Sequence, residues 1–189
     1  MSYVMIIIRK AILSNAIDIA KMHAESFAAS LKPFAPKKQI NSIDKTIFQI
    51  AWSKRLSKQN GFTYVAIERK KIIGMINFTF RNSTAEILRL YVHPDYWRKK
   101  IGKRLMSSAL KFLNHHHVKK IKIWVMKKNP KSRAFYEAMG AYPSRITRKI
   151  LVFNLQFIEI LYYLKLDKLS KTQTKNEKYF TQQKKKLVA

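Results

Sequence analysis

The sequence predicts a mixed α/β fold: a mostly antiparallel sheet of about six to seven strands, flanked by about four helices. Three observations carry this. The runs Phe62–Glu68, Ile72–Phe80 and Ala85–Val92 are rich in β-branched and aromatic residues and are joined by short polar connections. Such consecutive strands form an antiparallel meander. Next, Ile101, Leu105, Ala109, Phe112 and Leu113 recur at helical spacing, and the compact run Lys119–Met126 follows them. A strand, a helix and a second strand in that order imply a parallel crossover. Finally, 189 residues with 47% hydrophobic content are enough to bury one sizeable core.

The remaining elements follow in order. Met5–Arg9 is a short β-branched run, hence a strand. Ser14 or Asn15 offers an N-cap, and Ile17, Ala20, Ala24, Phe27 and Leu31 give a helix ending near Ser30. Lys32–Lys38 holds two prolines and reads as a loop. Ile43, Ile47, Ile50, Ala51 and Leu56 mark a second helix from about Ser42 to Lys58, closed by Asn60-Gly61. Gly74, inside its strand, signals a bulge or a close backbone approach. After the crossover, Ser132–Met139 is a short helix with Gly140 just past its end. Arg145–Tyr163 reads as a hairpin turning near Asn154-Leu155, although Phe153, Phe157, Ile160 and Leu164 also fit a helical period. We read residues 1–164 as the domain and 165–189, polar and rich in lysine, as a mobile tail.

With no cysteine, the chain has no disulfide, thiolate nucleophile or Cys-ligated metal. The N-terminal apolar run is too short for a signal segment and no stretch approaches a membrane span, so a cytoplasmic protein that does not engage membranes is expected. The net charge of +29 suits a polyanionic partner, including an RNA contact through the basic surface. The abundance of Lys, Ile and Asn equally suits compositional drift in an AT-rich genome. His115, His116 and His117 lie between a helix and a strand with no Asp or Cys nearby, so they read as solvated loop, and no metal site is expected.

The chemistry concentrates in Glu86–Lys103, EILRLYVHPDYWRKKIGK. A helix opening near Gly102 presents unpaired N–H groups and the positive end of its dipole, which together favour an anion. Arg98, Lys99, Lys100, Lys103 and Arg104 add positive charge. Two downstream segments go with this one: Trp124-Val125-Met126-Lys127-Lys128-Asn129-Pro130 and Phe135-Tyr136-Glu137-Ala138-Met139-Gly140.

Taken together, over roughly Met5–Tyr163, these segments resemble the GNAT acetyltransferase superfamily. Glu86–Tyr96 is similar to its fourth strand and following turn, and Trp97–Gly102 to its pyrophosphate loop, Q/R-x-x-G-x-G/A. Trp97 stands where the family has Gln or Arg, and Lys100 stands at the first glycine. The resemblance implies acetyl-CoA as co-substrate and a fourth and fifth strand that splay apart around the pantetheine arm. Leu90, Tyr91 and Val92 would then lie along pantetheine, with Trp124 and Val125 as the opposing wall and a bulge in the fourth strand. Arg98, Lys99, Lys100, Ile101, Gly102 and Lys103 would hold the phosphates, and Asn129 and Ser132 the arm or a water.

Acetyl transfer to an amine needs a polarised carbonyl, a neutral amine and an acid for the departing thiolate. The resemblance places Tyr136 beside the thioester as that acid; a buried tyrosine packed on its helix is the plainer reading of the same residue. Glu86 is the candidate base, at a position that also suits an exposed strand-end carboxylate. His93, before Pro94, reads as a turn residue. Phe27, Phe34, Trp52, Tyr162 and Tyr163 line an acceptor side or fill the core. The function implied is N-acetyl transfer to a primary amine of a small molecule or protein. A toxin-like enzyme acting on aminoacyl-tRNA and a non-catalytic CoA- or nucleic-acid-binding protein are the alternatives, and the late hairpin offers a surface for a homodimer.

Overall fold

The protein is described from a computed structural model that covers residues 5–58, 61–152 and 155–166. Among the described residues seven strands form one sheet in the order β1-β2-β3-β4-β5-β7-β6. They are β1 Ile7–Lys10, β2 Phe62–Glu68, β3 Lys71–Arg81, β4 Thr84–Val92, β5 Lys120–Met126, β6 Tyr142–Val152 and β7 Leu155–Lys165. All neighbours are antiparallel except β4 and β5, which run parallel across α4, Ile101–His115. The late segment is therefore a hairpin rather than a helix; its turn, at 153–154, lies outside the described residues.

Two layers of helix cover the sheet. On one face α4 buries Ile101, Leu105, Met106, Ala109, Leu110 and Leu113 against Ile73, Ile76, Phe78, Ile87 and Ile123. Each Ile, Leu, Met or Phe among them contributes roughly 1.5–3 kcal/mol of burial. Gly74 lets α4 approach closely: a Cβ there would meet Leu105 Cδ1 and the Tyr91 carbonyl oxygen, both at 3.1 Å. The register also shifts beside it, with Ala66 opposite Gly74 but Ile67 opposite Ile72, so a bulge and a close approach coincide. On the other face lie α1 Ala16–Leu31 and α3 Thr46–Ser57, separated by the short α2 Lys37–Asn41.

Here the helical spacing misleads in two places. The second helix does not begin at Ser42. Asp44 Oδ1 accepts from the Thr46 N–H at 2.8 Å and from its hydroxyl at 2.7 Å, and α3 starts there. The expected apolar face of α1 holds at Ala20, Ala24 and Leu31 but not at Ile17, which is exposed while Ile19 is buried; in α3 the face is rotated, with Ile47 and Ile50 exposed and Phe48 and Trp52 buried. Isoleucine lacks a polar atom that would mark its face, so spacing alone chooses poorly between adjacent stripes.

α5, Pro130–Ala138, closes the crossover side. It is tied to β7 through Tyr162, whose hydroxyl donates to Glu137 Oε1 at 2.8 Å and accepts from Arg133 Nε at 3.0 Å. Gly140, at φ 90°, ends it as expected. Of the first two residues of the expected 165–189 tail, Lys165 ends β7 and Leu166 is buried in the core; 167–189 lie outside the described residues. Among the described residues no helix is long and apolar enough to cross a membrane.

Candidate active site

The parallel pairing of β4 with β5 runs from Thr84 opposite Lys120 to Ile87 opposite Ile123 and stops. Beyond it β5 continues along β7 to Met126, and β4 continues along β3 to Val92. The two strands part at Leu88. The cause is visible in the register: Phe78 lies opposite Ile87 and Asn77 opposite Arg89, so Leu88 is an extra residue. Such a bulge bends its strand and sharpens the local twist.

The free edge of β4 faces this opening. The His93 N–H donates to the Ile73 carbonyl at 2.9 Å. That bond makes Val92–Gly74 a non-hydrogen-bonded antiparallel pair, so the N–H and C=O of Val92 point away from β3. Two residues earlier, Leu90 has the same orientation. One of these groups is already engaged: Trp97 Nε1 donates to the Val92 oxygen at 2.7 Å.

The turn after β4 leads directly into α4. Arg98 and Lys100 adopt left-handed backbone conformations, with φ of 65° and 60°. For residues with a Cβ this costs about 1–2 kcal/mol each, and it accounts for a glycine at the Lys100 position in the loop pattern. The first α4 bond joins the Arg104 N–H to the Lys100 carbonyl at 3.1 Å. The N–H groups of Ile101, Gly102 and Lys103 precede it and lie at the positive end of the helix. Arg98, Lys99, Lys100 and Lys103 are exposed around them. Arg104 is not part of this group, because its Nη2 donates to the Ile6 carbonyl at 2.7 Å.

Across the opening stands α5. Asn129 caps it, its Oδ1 accepting from the Ser132 N–H at 3.0 Å. Tyr136 is buried in the second turn. Burial pushes its phenol well above the ordinary tyrosine range, and nearby Tyr91 adds to the effect. Both residues therefore hold their protons. Tyr91 is raised to about 12, first by burial, against the pull of Arg89 and with help from Glu159.

The other face of the opening carries Tyr91 and Trp124 together with residues that the motifs do not single out. The bulge reverses the alternation of β4, so Leu90 and Val92 share the α4 face with Ala85 and Ile87. Tyr91 turns to the α1 side, where His23 packs on it with ring centroids 4.4 Å apart. His23 Nδ1 accepts from Trp52 Nε1 at 3.0 Å. Burial, with Arg89 and Arg55 nearby, lowers His23 to about 3, so its ring is neutral with the proton on Nε2. On β7, Glu159 accepts from Arg148 Nε at 2.7 Å, and the Arg148 guanidinium lies over the Trp124 ring, 4.1 Å from its centroid.

The structure thus brings Leu90, Val92, the Arg98–Lys103 turn and Tyr136 to one opening. Glu86 is half-buried, opposite Lys122 in the last paired stretch below it. His93 is a turn residue as expected, and its Nε2 lies 3.2 Å from Glu25 Oε2, tying the turn to α1. Tyr162 takes the core alternative: it is fully buried, and its hydroxyl is held by Glu137 and Arg133 of α5. Leu88, Arg89 and Glu159 are given no role by the sequence. Among the described residues no group of three His, Asp or Glu is placed to hold a metal ion.

A splayed parallel pair, a strand edge open between them and a helix N-terminus at its end define an acyl-CoA-type transferase fold, and the sequence agrees. The chain belongs to the acetyltransferase (GNAT) family, whose model matches residues 22–141. It is similar to YuaI of Bacillus subtilis, named an uncharacterized N-acetyltransferase, with 27% identity over 147 residues, 75% of this chain and 82% of that one. It is 35% identical to a spermidine N(1)-acetyltransferase of Thermoplasma acidophilum over 69 residues, 36% of this chain and 43% of that one. In three dimensions it resembles the PaiA N-acetyltransferase of Thermoplasma acidophilum, solved with coenzyme A, at a TM-score of 0.72 and 22% identity, over 87% of this chain and 99% of that one.

Proposed function

We propose that this chain transfers an acetyl group from acetyl-CoA directly to a primary amine. The observation that carries the reading is the free edge of β4, with Leu90 and Val92 presenting backbone groups into the opening and leading without a break to the N–H groups of Ile101, Gly102 and Lys103. An extended amide-bearing arm ending in phosphates matches that order: strand-like hydrogen bonds first, anion contacts second. Arg98, Lys99, Lys100 and Lys103 add charge to the phosphate end. Asn129 and Ser132, joined in the cap of α5, border the arm and hold Tyr136 in place. Tyr91 forms the floor.

The reaction follows from proton balance. The neutral amine nitrogen attacks the thioester carbonyl carbon, a new C–N bond forms, and the C–S bond breaks. Tyr136 gives its proton to the departing sulfur; its raised pKa keeps that proton available at neutral pH. Glu86 takes the proton that the amine loses, directly or through water. Backbone beside the Leu88 bulge is available to polarise the carbonyl. The test is release of free thiol from acetyl-CoA in the presence of an amine panel, together with a rise in melting temperature with CoA. Binding without turnover on any amine would make the chain a CoA-binding protein on this fold. The charge of +29 favours one further acceptor, aminoacyl-tRNA; tRNA binding that does not weaken with added salt would remove it.

A further inference from the structure

Arg89 is the first residue of β4 beyond the bulge and is half-buried on the α1 side of the opening. Among the described residues its side chain makes one hydrogen bond, a long contact from Nη1 to Asn77 Oδ1, 3.4 Å. Arg55, also half-buried, lies over the Trp52 ring at 5.2 Å from its centroid. One chain of contacts links the two: Arg55 lies over Trp52, Trp52 Nε1 donates to His23 Nδ1 at 3.0 Å, and the His23 ring packs 4.4 Å from Tyr91, two residues along β4 from Arg89 and on the same face. Burial lowers both guanidinium groups, and the Arg89 charge lowers Arg55 further. Among the described residues no carboxylate lies within 4.0 Å of either one. The neighbouring His23 is neutral and offers no counter-charge. Arg148, on the same face of the sheet, shows the usual arrangement, with Glu159 against it.

Partly desolvated like charges with no counter-ion are unfavourable in a folded chain. The Trp52 ring under Arg55 offsets part of that cost, and Arg89 has no such partner among the described residues. Guanidinium groups present planar, paired donors suited to carboxylate and phosphate oxygens. We propose that Arg55 and Arg89 bind an oxyanion carried by the acceptor itself, so that the amine acetylated belongs to a molecule that also bears a carboxylate or a phosphate. The inference rests on the acetyltransferase reading above. Arg89 lies two residues from Tyr91 and just past the bulge, so an oxyanion held there places the rest of the molecule at the mouth of the opening. A polyamine meets two uncompensated positive charges at the same place and is disfavoured.

The test uses the full chain and ω-amino acids and ω-aminoalkyl phosphates of graded length. Each is compared with the amino alcohol and the diamine of the same length. The oxyanion-bearing amines are expected to show kcat/KM roughly tenfold or more above their partners, the size of a lost charge-assisted contact. A preference confined to carboxylates or to phosphates identifies the source. Arg89→Gln and Arg55→Gln should collapse the ratio toward one with KM for acetyl-CoA unchanged, and Arg89→Lys should keep most of it. Arg89→Gln should leave the melting temperature level or higher, since it removes an unpaired charge; a structural arginine would lower it. Calorimetric titration of acetate and of inorganic phosphate into CoA-saturated protein gives a second readout, with saturable binding lost in the double Gln variant. Equal or better turnover of amino alcohols and diamines, or no binding of either anion, overturns the inference and leaves acetyl transfer standing. Failure of CoA to bind overturns acetyl transfer instead.

Discussion

The Trp97 indole donates to the Val92 carbonyl at 2.7 Å, across the edge of β4 that faces the opening. This is the carbonyl that the end of a strand-like ligand would use. Trp97 is 43% exposed, so little packing holds the indole there. Trp97→Phe removes the donor and keeps an aromatic ring. Acetyl-CoA should then bind about fivefold more tightly, the equivalent of one net hydrogen bond of ~1 kcal/mol. Calorimetric titration checks it. Weaker binding would show that the indole supports the turn rather than competing for Val92.

Lys100 occupies a left-handed conformation at φ 60°. Lys100→Gly relieves that strain and should stabilise the chain by about 1 kcal/mol, or a Tm increase of roughly 2–4 °C. Urea unfolding measures it. The same change removes one charge from the phosphate end, so stability and acetyl-CoA affinity should move in opposite directions at low salt.

Tyr136→Phe should lower kcat by about 10²-fold or more, within the range of lost general-acid catalysis, with KM for acetyl-CoA nearly unchanged. Because burial raises its phenol, the parent enzyme should show no alkaline loss of kcat from Tyr136 across the ordinary tyrosine range. Steady-state rates against pH decide both points. Unchanged kcat in the variant removes Tyr136 as the acid.

His23 is lowered from 6.5 to about 3 in the folded chain. Between these values the unfolded chain binds a proton that the folded one does not, so stability is present above pH 6.5 and is lost as pH falls toward 3. The slope approaches roughly 1.4 kcal/mol per pH unit. Urea unfolding at descending pH should show this loss, and His23→Gln, which can still accept from Trp52 Nε1, should flatten it. An unchanged slope would assign acid sensitivity to other groups.

Much of the architecture is legible where local chemistry and tertiary position agree. The β2–β3 hairpin turns at Arg69-Lys70 between two β-branched runs, and the parallel crossover follows from one amphipathic helix between two strands. The bulge at Leu88 is not legible, because it is a relation between β4 and β3 rather than a property of either. The same holds for Trp97: an exposed indole beside a basic turn gives no sign of which carbonyl it reaches. Arg89 and Arg55 look like two more cations among 39, and only burial without a counter-ion separates them from the rest. Ile17, Ile47 and Ile50 mark the reverse failure, apolar residues at helical spacing that the fold leaves outside.

Gly74 has a consequence beyond its own strand. A methyl group there would press on Leu105, one turn into α4, at 3.1 Å and on Ile101, its first residue, at 3.4 Å. The height at which that helix rides above the sheet, and with it the reach from the strand edge to the helix N-terminus, is thus gauged by a missing carbon atom. Arg55 and Arg89 lie on the opposite side of the sheet from this gauge. On the proposed reading, changes at these two residues retune the acceptor while the spacing of the other half stays fixed.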